Sequence, residues 1–274
     1  MPAPLVKTPP HTCDCHIHIY DAAMPMIPTA TTPGPDWATV SGYREVQKEL
    51  GLERAIIVQP TAYGTDNRVT VAAIAELGLA YARGVAVVDM SVTDAELDRL
   101  TRAGICGIRF QMMPGGVLPW DVVEPLANRV AAFGWHAQVQ MDGRLLSDRE
   151  DLLKRLPGTV VIDHVGKFLE PVTVEHAGFK TIQRLLDNGK TWLKLTAAYE
   201  VSKAGPPLYP DVGALAKAAA KSHPERMIWA SNWPYVGKDR QDDVTQLDVL
   251  LDWVPDEAVR NRILANNPAE LYGF

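Results

Sequence analysis

The stretch Thr12-Cys13-Asp14-Cys15-His16-Ile17-His18-Ile19 decides the fold of this 274-residue chain. It is short, apolar and β-branched at its end, which predicts an extended strand. Successive side chains of a strand point to opposite faces. Strict alternation would put Asp14, His16 and His18 on one face, towards a site. The other face would carry Cys13 and Cys15, which we expect to pack outward against helices as small apolar residues.

Seven further strand-like runs follow in the sequence, at 55–59, 84–88, 105–110, 135–141, 159–164, 192–197 and 226–231. Helix-period segments lie between and after them, at 42–50, 66–79, 93–103, 121–133, 147–156, 179–188, 210–222 and 242–253. Strand and helix thus alternate about eight times, which predicts a single-domain (β/α)₈ barrel over residues 1–274. An open doubly wound sheet is the alternative. It is disfavoured because no glycine-rich phosphate turn follows the first strand.

The composition narrows the class of partner. The net charge is −6 and the sequence has no run of Lys and Arg, which argues against nucleic acid and anionic membranes. No apolar stretch approaches the roughly 18 residues of a membrane span. The three cysteines indicate no disulfide framework, and residues 1–10 lack the apolar core of a signal peptide. We therefore expect a cytoplasmic protein with a small-molecule substrate; its oligomeric state is not encoded in any pattern we recognise.

Polar side chains recur at the carboxyl ends of the predicted strands, where a parallel barrel collects its chemistry. We predict that the candidate catalytic residues are His16, His18, His164 and Asn232. The candidate substrate-binding residues are Arg109, Gln138, Gln140, Lys167, Lys194 and Tyr199. Each is a weak signal by itself, but their shared placement at one rim favours a site.

The segment 20–41 is long and contains Pro25, Pro28, Pro33 and Pro35. A loop of this length in a compact domain is usually functional or disordered. Because it follows the first strand directly, we predict that it forms a wall or lid of the active site.

Four motifs resemble the amidohydrolase superfamily, in particular its 2-pyrone-4,6-dicarboxylate lactonase-like branch. They are residues 14–18, residues 162–167 (IDHVGK), residues 229–234 (WASNWP) and residues 267–274 (NPAELYGF). The resemblance implies a distorted barrel that acts on a small lactone. It also implies that His16, His18 and His164 polarise the lactone carbonyl, while an aspartate after the eighth strand activates water.

Two positions depart from the pattern of these lactonases. Asn232 stands where the aspartate is expected, and an amide cannot take a proton from water. Gly115 stands where a second basic residue is expected, six positions after Arg109. One clamp for a substrate carboxylate is therefore missing, which favours a sugar-acid lactone with a single free carboxylate.

A catalytic metal is not predicted. Hydrolytic zinc needs three protein ligands and an open position for water, and His16, His18 and His164 could supply three nitrogens. However, the fifth strand offers Gln138 and Gln140 rather than histidine, and Asn232 is a poor, neutral ligand. Binding of an adventitious divalent ion between His16 and His18 is left as an alternative.

The absence of a general base at position 232 predicts the type of reaction. We expect a lactone isomerase that converts an aldaro-1,5-lactone to its 1,4-lactone by intramolecular acyl transfer. A lactonase whose eighth-strand base is replaced by Asn232 is the first alternative. A non-catalytic barrel that binds a sugar acid is the second, and a metal-dependent decarboxylase is disfavoured by the absent acidic ligand.

Overall fold

A computed structural model describes residues 3–30, 32–237 and 239–274 of the chain. Its centre is one parallel sheet in which the eight strands pair in sequence order, from β1 to β8. The strands are β1 Cys13–Ile17, β2 Arg54–Val58, β3 Ala82–Ala86, β4 Ile105–Gln111, β5 His136–Gln140, β6 Val160–Ile162, β7 Thr191–Leu195 and β8 Met227–Trp229.

Helices follow every strand and surround the sheet. They are α1 Val40–Leu50, α2 Arg68–Leu77, α3 Asp94–Arg102, α4 Val123–Ala131, α5 Glu150–Arg155, α6 Ala177–Leu186, α7 Pro210–Ser222, α8 Asp243–Asp248, α9 Leu250–Trp253, α10 Glu257–Asn261 and α11 Asn267–Tyr272. A π-helical turn, Arg262–Asn266, joins the last two. The predicted barrel is confirmed, whereas the helices after residue 253 were not predicted. Within the described residues, no helix has the length and apolarity needed to cross a membrane.

The barrel is distorted where its first and last strands meet. Strand β8 ends at Trp229, yet the chain beyond it continues to pair with β1 through backbone hydrogen bonds. The backbone N–H of Asn232 donates to the His16 carbonyl at 3.1 Å, and the backbone N–H of His18 donates to the Trp233 carbonyl at 2.9 Å. This seam places Asn232 beside the two histidines of β1.

The predicted alternation of β1 is wrong at its start, because the pairing of β1 with β2 shifts register between Asp14 and Ile17. A bulge of this kind changes which face each residue occupies. Asp14 contacts Tyr43 of α1. Cys13 and Cys15 instead pack in a separate apolar cluster with residues of the other strands, which are Ile56, Val58, Val85, Val161, Trp192 and Ile228. The cysteines therefore line the barrel interior, and only His16 and His18 keep their predicted face.

The segment 20–41 crosses the rim at the carboxyl end of β1. The backbone N–H of Ile27 donates at 2.8 Å to the carbonyl of Ala62, which lies in the loop after β2. Near its other end, the Trp37 ring lies 5.6 Å from the ring of Trp233, after β8. The loop thus spans the neighbours of β1 on both sides. Its role as a wall of the active site stays a prediction.

Asp14 stabilises the seam from outside. Its carboxylate accepts hydrogen bonds from the Ser231 amide at 3.0 Å and from the Ser231 hydroxyl at 2.5 Å. The same hydroxyl accepts from the Trp233 amide at 3.0 Å. All of these groups are buried, so removal of the hydroxyl leaves two buried partners with fewer hydrogen bonds.

We therefore predict that Ser231→Ala lowers the free energy of unfolding by about 1–3 kcal/mol. Urea denaturation followed by circular dichroism measures this change. The matched control is Ser147→Ala at an exposed position, where a change within about 0.5 kcal/mol is expected. Equal stability of the two variants would contradict the role of Ser231.

Candidate active site

The polar side chains at the barrel mouth form two layers. The lower layer is sealed from solvent and contains His16, Gln138, Asp163 and Lys194. The upper layer retains slight exposure, with His18 at 8% and Arg109, Gln140 and Asn232 at 5% each. Lys167, Tyr199 and Glu200 lie at the rim and are partly exposed. The upper layer is thus the part of the mouth that a ligand could contact, and the lower layer lies beneath it.

Lys194 is the centre of the lower layer, because its ammonium lies close to polar atoms of three residues from different parts of the barrel. The Nζ atom lies 2.8 Å from Gln138 Oε1, 3.2 Å from His16 Nδ1 and 3.3 Å from Asp163 Oδ1. Burial lowers the pKa of Lys194, and the charge of Asp163 offsets part of this effect. The ammonium thus has hydrogen-bond contacts with Gln138 and His16 and an ion pair with Asp163, whose Oδ1 makes no hydrogen bond with the described residues.

Asp163 supplies the compensating negative charge. Its Oδ2 accepts from Gln138 Nε2 at 2.9 Å, and its Oδ1 lies 3.5 Å from His16 Nδ1. Burial raises the pKa of Asp163. The nearby Lys194, His164 and Arg109 lower it by a larger amount. The net pKa lies below the usual aspartate value, so the carboxylate stays ionised at neutral pH.

The histidines are neutral at working pH. Burial lowers the pKa of His18 to about 3, and the Arg109 charge adds to the effect. Burial also holds the pKa of His16 and of His164 well below the usual histidine value. His16 and His18 meet with their Nε2 atoms 3.3 Å apart, and His18 Nδ1 lies 2.7 Å from the Val58 carbonyl.

Arg109 crosses the mouth from β4. It donates from Nη1 to the Gln59 carbonyl at 2.9 Å and from Nη2 to Gln140 Oε1 at 2.8 Å. Its Nε, like Nδ1 of His164, is buried and has no hydrogen-bond partner. Buried polar atoms of this kind cost free energy unless a ligand or water pairs with them. Both atoms are therefore candidates for substrate contact.

Asn232 is held by residues that follow β7. Its Nδ2 donates to the Tyr199 hydroxyl at 2.6 Å and to Glu200 Oε1 at 3.0 Å. The other carboxylate oxygen of Glu200 pairs with the Lys167 ammonium. Since the two groups beside Nδ2 are oxygens, and one is a carboxylate, the network fixes which end of the amide is which.

Left-handed backbone conformations cluster at this mouth. Positive φ angles occur at His164 (56°), Val165 (53°) and Lys167 (46°) after β6, at Ala197 (57°) after β7 and at Asn232 (63°) after β8. Such conformations are uncommon outside glycine and persist where surrounding structure enforces them. These residues follow three adjacent strands, β6, β7 and β8, so the backbone of this side of the mouth is held by its surroundings in an uncommon conformation.

The mouth contains donors that could hold a metal ion. Ligand atoms of His16, Asp163 and His164 all lie within 4.8 Å of one another. The Lys194 ammonium, however, lies 3.2 Å from His16 and 3.3 Å from Asp163, among the same donors. A divalent cation bound there would face this positive charge at close range. The donor set therefore does not fit a metal while Lys194 is charged.

The structure brings all ten sequence-predicted residues to one rim of the barrel, although their roles stay predictions. Sequence reasoning missed Gln59, Asp163 and Glu200 as members of the same network. Asp163 stood in a quoted motif beside His164, and Glu200 directly follows Tyr199, so adjacency was the available signal. Gln59 contributes its backbone carbonyl, which no side-chain pattern reports.

The comparisons with known proteins agree with this architecture. An Agrobacterium fabrum D-galactarolactone isomerase is 33% identical over 98% of this chain and 94% of its own length. A Comamonas testosteroni 2-pyrone-4,6-dicarboxylate hydrolase is 30% identical over 98% of this chain and 92% of its own length. The crystal structure of an Agrobacterium tumefaciens protein in its apo form superimposes with a TM-score of 0.93 at 33% identity, covering 99% of this chain and 97% of the other. The sequence model described as Amidohydrolase matches residues 13–274. The resemblance of the motifs is thus confirmed, and this chain belongs to the amidohydrolase family.

Proposed function

We propose that this protein is a lactone isomerase that converts an aldaro-1,5-lactone to its 1,4-lactone by intramolecular acyl transfer. The observation that carries the proposal is the contact between Asn232 and Glu200. At the end of β8, where a hydrolase of this kind needs a proton acceptor, the chain has an amide whose surroundings are built for an amide.

The polarity of this contact excludes a simple exchange with aspartate. The side-chain amide of Asn232 donates a hydrogen bond to Glu200 Oε1 at 3.0 Å, and the carboxylate accepts it. An aspartate at position 232 would place two carboxylates about 3 Å apart, a distance at which both cannot stay ionised. Lys167 pairs with the same glutamate, which ties Glu200 into the rim. Asn232 is therefore part of a matched set.

Isomerisation does not need the missing base to the same degree as hydrolysis. A general base that deprotonates water contributes typically about 10²–10⁴-fold. A well-oriented hydroxyl of the substrate has an effective molarity of about 10⁵–10⁸ M, equivalent to roughly 7–11 kcal/mol. The hydroxyl oxygen bonds to the lactone carbonyl carbon, the ring oxygen leaves, and the hydroxyl proton ends on that ring oxygen. No water is consumed, so an unactivated water loses the competition.

The remaining groups of the mouth suit binding of one carboxylate and stabilisation of the developing oxyanion. Arg109 supplies a fixed positive charge, and its Nε and the Nδ1 of His164 still have hydrogen-bonding capacity. Gly115 and Gly116 line the same cleft as Arg109, where a second basic clamp would otherwise stand. A substrate with a single free carboxylate matches this charge pattern.

Relatives of this chain include both reaction types. One is named D-galactarolactone isomerase, and another is named 2-pyrone-4,6-dicarboxylate hydrolase. The names support a lactone as the substrate class. Asn232 and its acceptor Glu200 favour the isomerase over the hydrolase, which remains the second candidate because the histidines and Arg109 would serve either reaction.

Proton NMR of an aldaro-1,5-lactone with the purified protein tests this proposal. We expect the 1,4-lactone to accumulate faster than the open acid, with the same rate before and after treatment with a chelator. The spontaneous reaction without protein is the control. An isomerisation rate no higher than that background, or open acid as the first product, would overturn the proposal.

A reciprocal pair of substitutions tests whether the polarity of the Asn232–Glu200 contact selects the reaction. Asn232→Asp alone creates two adjacent carboxylates, so we expect slower turnover with a raised share of open acid. Adding Glu200→Gln restores the hydrogen bond in the opposite direction and leaves an ionised aspartate. We expect the double variant to have the highest ratio of hydrolysis to isomerisation, measured by NMR. An identical product ratio in all three proteins would contradict the assignment.

The neutral histidines predict the pH dependence. Because burial lowers the pKa of His18 to about 3 and lowers that of His16 and His164 as well, no imidazole of the site gains a proton near pH 6.5. We expect kcat/KM for isomerisation to show no break of histidine origin there. Burial raises the pKa of Asp14 to about 6, so a structural break is possible at that pH. A break that persists in Asp14→Asn would contradict neutral histidines.

A further inference from the structure

We propose that Lys194 fixes His16 as the tautomer protonated at Nε2, and that this proton closes the His16–His18 pair to divalent metals. Lys194 is thus a positioning residue that acts through His16. The inference concerns the lower layer of the site and does not depend on which lactone is the substrate.

The first step is the hydrogen-bond balance of the ammonium. Gln138 donates from Nε2 to Asp163 Oδ2, so its Oε1 is the end that faces Lys194 at 2.8 Å. Asp163 Oδ1 lies 3.3 Å from the ammonium as its ion-pair partner, without a hydrogen bond. An ammonium has three N–H groups and no lone pair, so it can only donate. In its contact with His16 Nδ1 at 3.2 Å, the ring nitrogen must therefore carry a lone pair.

The second step starts at the opposite end of the chain of contacts and reaches the same result. His18 Nδ1 lies 2.7 Å from the Val58 carbonyl, which is only an acceptor, so the proton of this neutral ring is on Nδ1. The Nε2 of His18 then carries a lone pair. His16 Nε2 lies 3.3 Å away and must supply the proton between them. Both ends of the chain require Nε2–H on His16.

The third step concerns metal binding. In a tetrahedral zinc site with Zn–N bonds of about 2.0–2.1 Å, two ligand nitrogens are separated by roughly 3.3 Å. The two Nε2 atoms have this separation, 3.3 Å. Spacing therefore does not prevent binding, and the obstacle is the proton on His16 Nε2. A metal would need that lone pair, and the proton would have to move to Nδ1, where the Lys194 ammonium opposes it.

The same arrangement gives His16 a chemical task. With an ammonium hydrogen-bonded to Nδ1, the Nε2–H bond is polarised by a positive charge held behind the ring. The cation thus strengthens the hydrogen bond that His16 Nε2–H donates to His18 Nε2, so His16 transmits the charge of Lys194 to the ring of His18 in the upper layer.

Removal of the ammonium tests the inference with a readout other than activity. In Lys194→Met, His16 is free to protonate Nδ1 and Asp163 loses its cation. We expect this variant to bind Co²⁺ at one equivalent, with d–d absorption bands, and about 10–100-fold more tightly than the wild type. Lys203→Met, which removes an exposed ammonium, is the matched control and should behave like the wild type. Wild-type affinity equal to that of Lys194→Met, or no binding by the folded variant, would overturn the proposal.

A second measurement uses the unaltered protein, so the inference is decided even if Lys194→Met does not fold. Two-bond ¹H–¹⁵N correlation spectra of histidine-labelled protein distinguish the two neutral tautomers, and the chain has 7 histidines to assign. We expect an Nε2–H pattern for His16 and an Nδ1–H pattern for His18. An Nδ1–H pattern for His16 would refute the proposal.

Discussion

The seam between β1 and the chain after β8 is the constraint on which the site depends. Two backbone hydrogen bonds, from Asn232 to the His16 carbonyl and from His18 to the Trp233 carbonyl, close the barrel beyond the regular end of β8. Because these bonds are made by residues that also form the site, closing the barrel places His16, His18 and Asn232 beside one another. Asp14 and Ser231 brace the seam from the helix side, so a residue outside the mouth determines its geometry.

Buried charge is the second constraint, and it explains why Lys194 and Asp163 lie together in the lower layer. Lys194 and Asp163 have no solvent exposure, and an unpaired buried charge costs several kcal/mol. Gln138 bonds to both, so each charge retains a second partner. The pair holds a positive charge against His16 without exposing an ammonium to the substrate. The side chains of the upper layer above it are the imidazole of His18, the guanidinium of Arg109 and the amides of Gln140 and Asn232.

The sequence predicted the barrel and the rim because both follow from periodicity. Eight strands with polar residues at their ends determine which side chains converge, whatever the details of each loop. The bulge in β1 was not predictable, since strict alternation is the simplest pattern for residues 12–19 and a register shift depends on pairing with β2. The role of Asp163 was also missed, because its importance comes from Lys194, 31 positions further along the chain and joined to it only by the fold.

In the proposed mechanism, two separate contacts govern two properties of the site. Polarisation rests on Lys194 and His16 in the lower layer, and the choice of nucleophile rests on Asn232 in the upper layer and Glu200 at the rim. The pairs share no residue, and the hydrogen bond that joins them, from the backbone N–H of Asn232 to the His16 carbonyl, does not involve a side chain. A side-chain substitution in one pair that preserves this seam should then leave the property of the other pair largely intact. An enzyme built in this way can change between isomerisation and hydrolysis at the rim without rebuilding the charged layer beneath.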